Sequence, residues 1–287
     1  MKKWNAVIDV ENCNGCNLCT LAVQDEYVGN EWPGYSAEMP KHGHRWIDIK
    51  QKVRGEAPLV DAAYLPVMCQ HCDDAPCLKV AKNNAVKKRD DGIIIIDPEK
   101  SKGQKQIADS CPHNAIWWNE EKEIPQIWNF DAHLLDDGWT SPRAEKVCAT
   151  GCFQTLKVED SEMKKIAEKE KLEHLNPEHD TKPRVWYKNL HRYRDCFIAG
   201  SVAFSKDGVT DCAEGAEVIL QKNEETISQT ITDNFGDFKF DRLRENSGNY
   251  KLKISFSGQP TKEIDVELSD SQSFPNIVLE KKTPTHR

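Results

Sequence analysis

The chain has 287 residues, a formal net charge of −8 and 11 cysteines. This length is sufficient for two ordinary domains with at least one buried core, and the acidic balance argues against nucleic acid as a partner. No apolar run is long enough to span a bilayer, and the N-terminus lacks the apolar core of a signal peptide. We therefore expect a cytoplasmic protein that binds neither nucleic acid nor membrane.

In chain order, the first regular elements are short and widely separated. Residues 4–10 and 93–97 have the β-branched content of strands. Residues 161–175 have the thin apolar stripe of a charged surface helix, which Asn176-Pro177 should end. The rest of the chain up to about residue 195 is rich in loops and contains most of the cysteines.

From about residue 197 the pattern changes to short alternating runs separated by turn residues. The predicted strands are 198–204, 217–221, 226–231, 238–240, 250–256, 263–268 and 276–279. Seven short strands at this spacing predict a small antiparallel sandwich or barrel. The predicted fold is therefore α+β. A ferredoxin-like tandem cluster-binding domain spans residues 1–195. A small all-β domain of the transthyretin or carboxypeptidase-regulatory type follows at 196–287 and acts as an interaction or stabilising module.

Nine of the 11 cysteines lie between residues 13 and 152, mostly at short fixed spacings. Disulfides are rare in the cytosol, so this pattern indicates metal binding. Two triplets stand out: Cys13, Cys16 and Cys19, and Cys69, Cys72 and Cys77. Bacterial ferredoxins bind [4Fe–4S] clusters with such triplets, plus a fourth cysteine that precedes proline and ligates the other cluster. Here Val23 and Ala81 occupy the expected fourth positions.

Two later places supply the fourth ligands. Cys111 precedes a proline, and Cys148 and Cys152 are spaced like the last two cysteines of a ferredoxin frame. We call each four-position ferredoxin motif a frame and count four of them along the chain. If the first and fourth frames exchange their fourth cysteines, and the second and third frames do the same, two complete sets of four result. These sets are Cys13, Cys16, Cys19 and Cys152 (the first set), and Cys69, Cys72, Cys77 and Cys111 (the second set). Straight pairing completes no set, so we predict two [4Fe–4S] clusters in the crossed arrangement.

Zinc is the alternative metal, because two C-x2-C pairs can bind one ion through four thiolates. Triplets followed by a Cys-Pro pair suit a cubane cluster better. Cys148 is a leftover thiol or a spare ligand, and Cys196 and Cys212 are interpreted as ordinary thiols. His71 and His113 lie close to cluster cysteines, where support of the ligands or a solvent-facing position is expected rather than ligation.

Several unusual segments carry a family resemblance. They are NEWPGY at 30–35, GHRW at 43–46, IDPEK at 96–100, AHLLDD at 132–137, TKPRV at 181–185 and FGDFKF at 235–240. Together with the four frames, they resemble the electron-transfer subunits of molybdopterin enzymes of the dimethyl-sulfoxide-reductase family. Within that family, the resemblance is to the small iron–sulfur subunits of the pyrogallol–phloroglucinol transhydroxylase group and related aromatic hydroxylases.

The resemblance implies a heterodimer in which this chain is the non-catalytic subunit. The large partner subunit would hold molybdenum bis-MGD and the phenolic substrate. It also implies a departure, because the related subunits carry a third cluster at the equivalents of Val23, Trp128, Asp131 and Cys148, between the two retained here. Without this middle cluster, the relay for electron transfer between the other two is broken. We hypothesise that this broken relay favours a redox-neutral reaction or a structural role for the outer cluster. A compensating cofactor between the two clusters in the complex would contradict that hypothesis.

Two other function classes remain open at this stage. A stand-alone ferredoxin-type carrier would be a monomer, and a zinc-stabilised scaffold would be colourless. A free-standing enzyme is disfavoured, since the sequence shows no glycine-rich phosphate loop, no nucleophile–base motif and no carboxylate pair with clear spacing.

Overall fold

The computed structural model describes residues 1–57, 59–206 and 208–280, which form two compact units. The first unit comprises Met1–Gln51 and Tyr64–Leu190, and the second comprises Lys52–Ala63 and the residues from His191 onward. The division at 195 and 196 stays a prediction, and residues 281–287 of the predicted second domain lie outside the described residues. The structure places the central segment Lys52–Ala63 with the C-terminal residues.

The chain up to Leu190 contains nine strands and six short α-helices in its described part. The strands are β1 Lys3–Asp9, β2 Ile47–Arg54, β3 Asp61–Met68, β4 Val86–Lys88, β5 Ile94–Ile96, β6 Trp117–Asn119, β7 Ile124–Gln126, β8 Phe153–Val158 and β9 Val185–Lys188. The helices are α1 Leu18–Tyr27, α2 Pro76–Val80, α3 Lys105–Asp109, α4 Ala132–Asp136, α5 Arg143–Lys146 and α6 Asp160–Glu170. The strands predicted at 4–10 and 93–97 are therefore present as β1 and β5.

Strand β1 is the centre of the main sheet of the first unit. It pairs antiparallel with β8 and parallel with β9. Its apolar side chains Trp4, Ala6, Val7 and Ile8 are all buried, as expected for a central strand covered on both faces. This pairing brings two segments from late in the chain beside the N-terminus.

Helix α6 ends earlier than the sequence predicts. It stops at Glu170, because Lys171 takes a left-handed conformation with φ of 54°. Beyond that point the backbone of Glu173 exchanges two hydrogen bonds of 2.8 Å with Tyr187 in β9. The predicted extension to residue 175 is thus wrong, since bonding to the sheet replaces the last helical turn.

From His191 onward, the described part of the second unit contains helix α7 and eight strands. They are α7 His191–Arg194, β10 Cys196–Lys206, β11 Val209–Cys212, β12 Glu217–Lys222, β13 Glu225–Ile231, β14 Asp237–Leu243, β15 Gly248–Ser255, β16 Lys262–Leu268 and β17 Gln272–Leu279. All seven predicted strands are present, and β11 is additional. One sheet has the order β13-β12-β15-β16, and the other joins β11, β14 and β17 to β10.

Both sheets contribute side chains to one apolar core, which includes Ile198, Val218, Phe240, Leu252 and Ile277. Within the described ranges the strands form two separate four-stranded sheets, so the barrel alternative is wrong. The antiparallel expectation fails for one pair, because β17 runs parallel to β10. The chain as described is mostly β with short helices, and none of those helices is long and apolar enough to cross a membrane.

A buried arginine, Arg54, binds the Lys52–Ala63 segment to the rest of the second unit. The Arg54 side chain is fully buried; it donates to the Asp195 carbonyl at 2.9 Å, pairs with Asp61, and lies 3.4 Å from Asp241. Burial opposes the charge on Asp61, but the guanidinium groups of Arg54 and Arg192 lower the pKa of that carboxyl below its ordinary value. The segment is therefore held to the rest of the second unit by charge-assisted hydrogen bonds.

Candidate iron–sulfur centres

The first cysteine set is assembled by the pairing of β1 with β8. Cys13 and Cys16 lie in the loop after β1, and Cys19 is the second residue of α1. Cys152 immediately precedes β8, and its carbonyl accepts the Asp9 N–H at 2.9 Å. The Cys13 and Cys152 thiols share a hydrogen bond, and Cys19 interacts electrostatically with Cys13 and Cys16. The structure thus brings the four predicted ligands together.

The second set has the same local design. Cys69 and Cys72 follow β3, Cys77 is the second residue of α2, and Cys111 follows α3. Cys69 interacts electrostatically with the other three thiols. The buried apolar neighbours of this set are Ala75, Ala85, Val86, Ile94, Ile96, Ile107 and Ile127. This set is therefore assembled in an environment that excludes water.

The pKa values of the individual cysteine thiols differ within the sets. Burial raises the pKa of Cys77 to about 12 and that of Cys19 to about 12, so both are protonated at neutral pH without metal. The hydrogen bond from Cys152 lowers the pKa of Cys13 to about 7, while the same contact raises the pKa of Cys152. Because metal ligands must be thiolates, cluster binding must displace these protons.

Backbone N–H groups surround the sulfur atoms. The Ala115 N–H lies 3.5 Å from Cys111 Sγ, and the N–H groups of Thr20 and Leu78 donate to Cys19 and Cys77. Such donors stabilise thiolate charge and raise cluster potentials. All 11 cysteines are free thiols. The donor chemistry fits a [4Fe–4S] cluster at each set. The second set is also enclosed by apolar side chains, whereas Cys16 of the first set is exposed.

The remaining metal-binding side chains do not add a further site. In the described ranges, no three or more His, Cys, Asp or Glu side chains are arranged to hold a single metal ion. A cubane cluster differs from such a site because each of its four irons takes one thiolate. Of the two histidines near the cysteines, His71 is buried and His113 is bonded to Thr181 at 3.1 Å, so neither faces solvent.

The four positions associated with a third cluster have other partners. Val23 and Trp128 are buried and have no metal-binding group. Asp131 is buried, accepts the Tyr27 hydroxyl at 3.1 Å and accepts the Arg143 N–H at 2.8 Å. Cys148 lies near the first set, where its Sγ accepts the Phe153 N–H at 3.3 Å. These side chains do not form a third ligand set.

Four aromatic side chains that the sequence did not predict as a group pack together here, and one of them, Trp128, occupies one of these positions. We call His71, Trp128, Phe130 and Phe153 the central aromatic group. Trp128 stacks on Phe130 at 4.5 Å between ring centroids and meets Phe153 edge-on at 5.5 Å. His71 meets Phe130 edge-on at 5.0 Å. The only sequence signal was the presence of aromatic residues next to Cys152 and inside the second cysteine loop.

We expect Gly15→Ala to weaken the first set. Gly15 has φ of 71°, and a Cβ there would lie 2.6 Å from the Tyr64 ring. The substitution adds left-handed strain of about 1–2 kcal/mol and a steric overlap within the Cys13–Cys16 loop. Iron content and the visible absorption of the first cluster measure the effect.

Gly151→Ala is the matched control for this substitution. Gly151 precedes Cys152 and also has a positive φ of 67°, but a Cβ there meets no atom of the described residues within 4 Å. It should therefore retain more iron than Gly15→Ala. Equal losses in both variants would show that backbone strain, and not the Tyr64 contact, limits the loop.

Comparisons with known proteins agree with this chemistry. Residues 60–158 match the family model of a 4Fe-4S dicluster domain. The chain is 42% identical over 263 residues to the pyrogallol hydroxytransferase small subunit of Pelobacter acidigallici, covering 90% of this chain and 93% of that protein. It is 28% identical to a putative dimethyl sulfoxide reductase iron-sulfur subunit of Halobacterium salinarum (66% and 80% covered). It is 26% identical to a subunit of tetrathionate reductase from Salmonella typhimurium (68% and 75% covered).

The cysteines have the spacing of cluster ligands and are assembled into sets, and the chain covers nearly the whole of the first of these relatives. This chain therefore belongs to the family of iron–sulfur subunits that includes the pyrogallol hydroxytransferase small subunit.

Proposed function

We propose that the chain is the two-cluster subunit of a heterodimeric molybdenum enzyme that acts on phenolic rings, by transhydroxylation or hydroxylation. The observation that carries this proposal is the assembly of two separate four-thiol sets, Cys13/16/19/152 and Cys69/72/77/111. A large partner subunit would hold the phenolic substrate, which is consistent with the name of the 42% identical relative, a small subunit of pyrogallol hydroxytransferase. We propose that the same partner holds molybdenum bis-MGD, as the family resemblance implies. We place the complex in the cytoplasm.

Within this proposal, the residues of the chain have defined tasks. The eight cysteines ligate, the apolar neighbours exclude water, and the peptide N–H groups stabilise charge on sulfur. Bound clusters would supply one-electron transfer. The tandem ferredoxin-like unit carries the ligands, and the two packed sheets of the second unit act as a sandwich-type interaction or stabilising module.

The proposed number of clusters depends on the four positions that hold a third cluster in related subunits. Since Val23 and Trp128 cannot ligate and Asp131 is already hydrogen-bonded, we propose two clusters and not three. The broken-relay hypothesis depends on that number. It favours a redox-neutral reaction in the partner or a structural role for the outer cluster.

Iron, acid-labile sulfide and molybdenum should be measured on the native complex, purified without oxygen. We expect about eight irons per small subunit, after subtraction of any in the partner, together with molybdenum. About twelve irons would contradict the two-cluster proposal, and zinc without iron would contradict cluster binding. Elution of the native protein as a monomer would favour the stand-alone ferredoxin.

A further inference from the structure

One residue of the second cysteine loop has an unusual backbone conformation. His71, between Cys69 and Cys72, has φ of 46°, a region that residues other than glycine adopt at a cost in free energy and keep only where their surroundings hold them there. In this conformation its peptide N–H donates to Cys69 Sγ. The loop therefore places a strained peptide against a ligand sulfur.

Lys88 bonds two carbonyl groups of the backbone at His71. Lys88 Nζ donates to the His71 carbonyl at 2.7 Å and to the Cys72 carbonyl at 2.8 Å. The lysine also pairs with Asp73 at 2.7 Å. These bonds hold the carbonyl side of the loop, but they leave the direction of the His71 side chain to other contacts.

The His71 ring is held by the central aromatic group. Its Nδ1 accepts the Ile94 N–H at 3.0 Å, and its edges meet Phe130 and Trp128 at 5.0 Å and 5.9 Å between ring centroids. Trp128 is itself fully buried and fixed by Phe130 and Phe153. The His71 ring therefore lies against a buried side chain that is itself packed against two other rings.

We propose that Trp128 is a positioning residue for the second cluster, because its ring holds His71 in the left-handed conformation that directs the His71 N–H at Cys69 Sγ. Hydrogen bonds to ligand sulfur stabilise the negative charge that reduction adds, and so raise the reduction potential. The inference rests on the proposed function, since it requires a cluster at the second set.

The test is a potentiometric titration of both clusters by electron paramagnetic resonance, using the complete complex with Trp128→Leu. We expect about a tenfold shift of the second cluster toward its oxidised state, equivalent to a potential lower by about 59 mV for one electron. Trp128→Phe, which keeps an aromatic ring at the contact, should restore a potential close to that of the wild type.

Trp46→Leu is the matched control. Trp46 is also fully buried in the first unit, and its ring lies 4.8 Å from the Tyr27 ring between centroids. It should leave the second potential unchanged. Equal potentials in Trp128→Leu and Trp46→Leu would overturn the inference, whereas a wild-type complex with no second cluster would instead overturn the proposed function.

A milder variant keeps the inference testable if Trp128→Leu retains no second cluster. Phe130→Leu removes the other ring that packs on His71. A lower second potential in this variant supports the positioning role, and a potential equal to that of the wild type overturns it.

Discussion

Replacing Cys152 with alanine is expected to remove one [4Fe–4S] cluster and about four of about eight irons. Cys152 lies far from the N-terminal triplet in sequence, but the β1–β8 pairing places its thiol in a hydrogen bond with Cys13. Cys111→Ala should remove the other cluster, and the double variant should lack both. Iron analysis and electron paramagnetic resonance of the reduced complex distinguish these outcomes.

Cys148→Ala tests whether Cys152 or Cys148 is the fourth ligand of the first set. Cys148 lies beside Cys152 and Cys19, so it is the thiol best placed to replace a ligand of the first set. We expect both clusters to survive its removal, as they should after replacement of the exposed Cys212. Loss of the first cluster in Cys148→Ala, with retention in Cys152→Ala, would show that the assignment of the fourth ligand is wrong.

Arg54→Ala is expected to destabilise the second unit by about 3–5 kcal/mol. The substitution leaves the carboxylates of Asp61 and Asp241 and the Asp195 carbonyl without their buried partner. Hydrogen–deuterium exchange of β10 and β14 in the native complex measures the effect. Opening of these strands should become at least a hundredfold more frequent, because each 1.4 kcal/mol corresponds to a factor of ten.

Lys251→Ala provides the comparison for the Arg54 prediction. Lys251 and Glu263 form a 3.5 Å ion pair between β15 and β16, with both side chains about half exposed. A pair of this kind contributes about 0–1 kcal/mol, so exchange in β10 and β14 should be almost unchanged. An effect as large as that of Arg54→Ala would mean that burial is not what makes the Arg54 contacts important.

The strands of the second unit were predictable because their patterns are local. Alternating runs such as 250–256 place every second side chain in the core, and polar turn residues mark their ends. The two cysteine sets stay a prediction, and the signal behind them is of a different kind. Ligand spacing reflects the shape of the cluster, and the crossed rule then decides which distant cysteine, Cys152 or Cys111, completes each triplet.

Other features depend on contacts that no local pattern encodes. The parallel pairing of β17 with β10 and the membership of Lys52–Ala63 in the second unit are set by tertiary packing. Helix α6 ends early because Glu173 bonds to Tyr187, although the residues after Lys171 have good helical propensity. The central aromatic group was missed because its members are separated by up to about eighty positions in the sequence.

The β1–β8 pairing, which brings Cys152 to the N-terminal triplet, also makes the first set depend on the last of the eight cysteines to be synthesised. The second set is complete once Cys111 has been synthesised, whereas Cys13, Cys16 and Cys19 must wait for Cys152. At about 5–20 residues per second, that wait is on the order of ten seconds. During it, the three N-terminal thiols have no fourth ligand, so we expect the first set to be the more vulnerable to oxygen during biosynthesis.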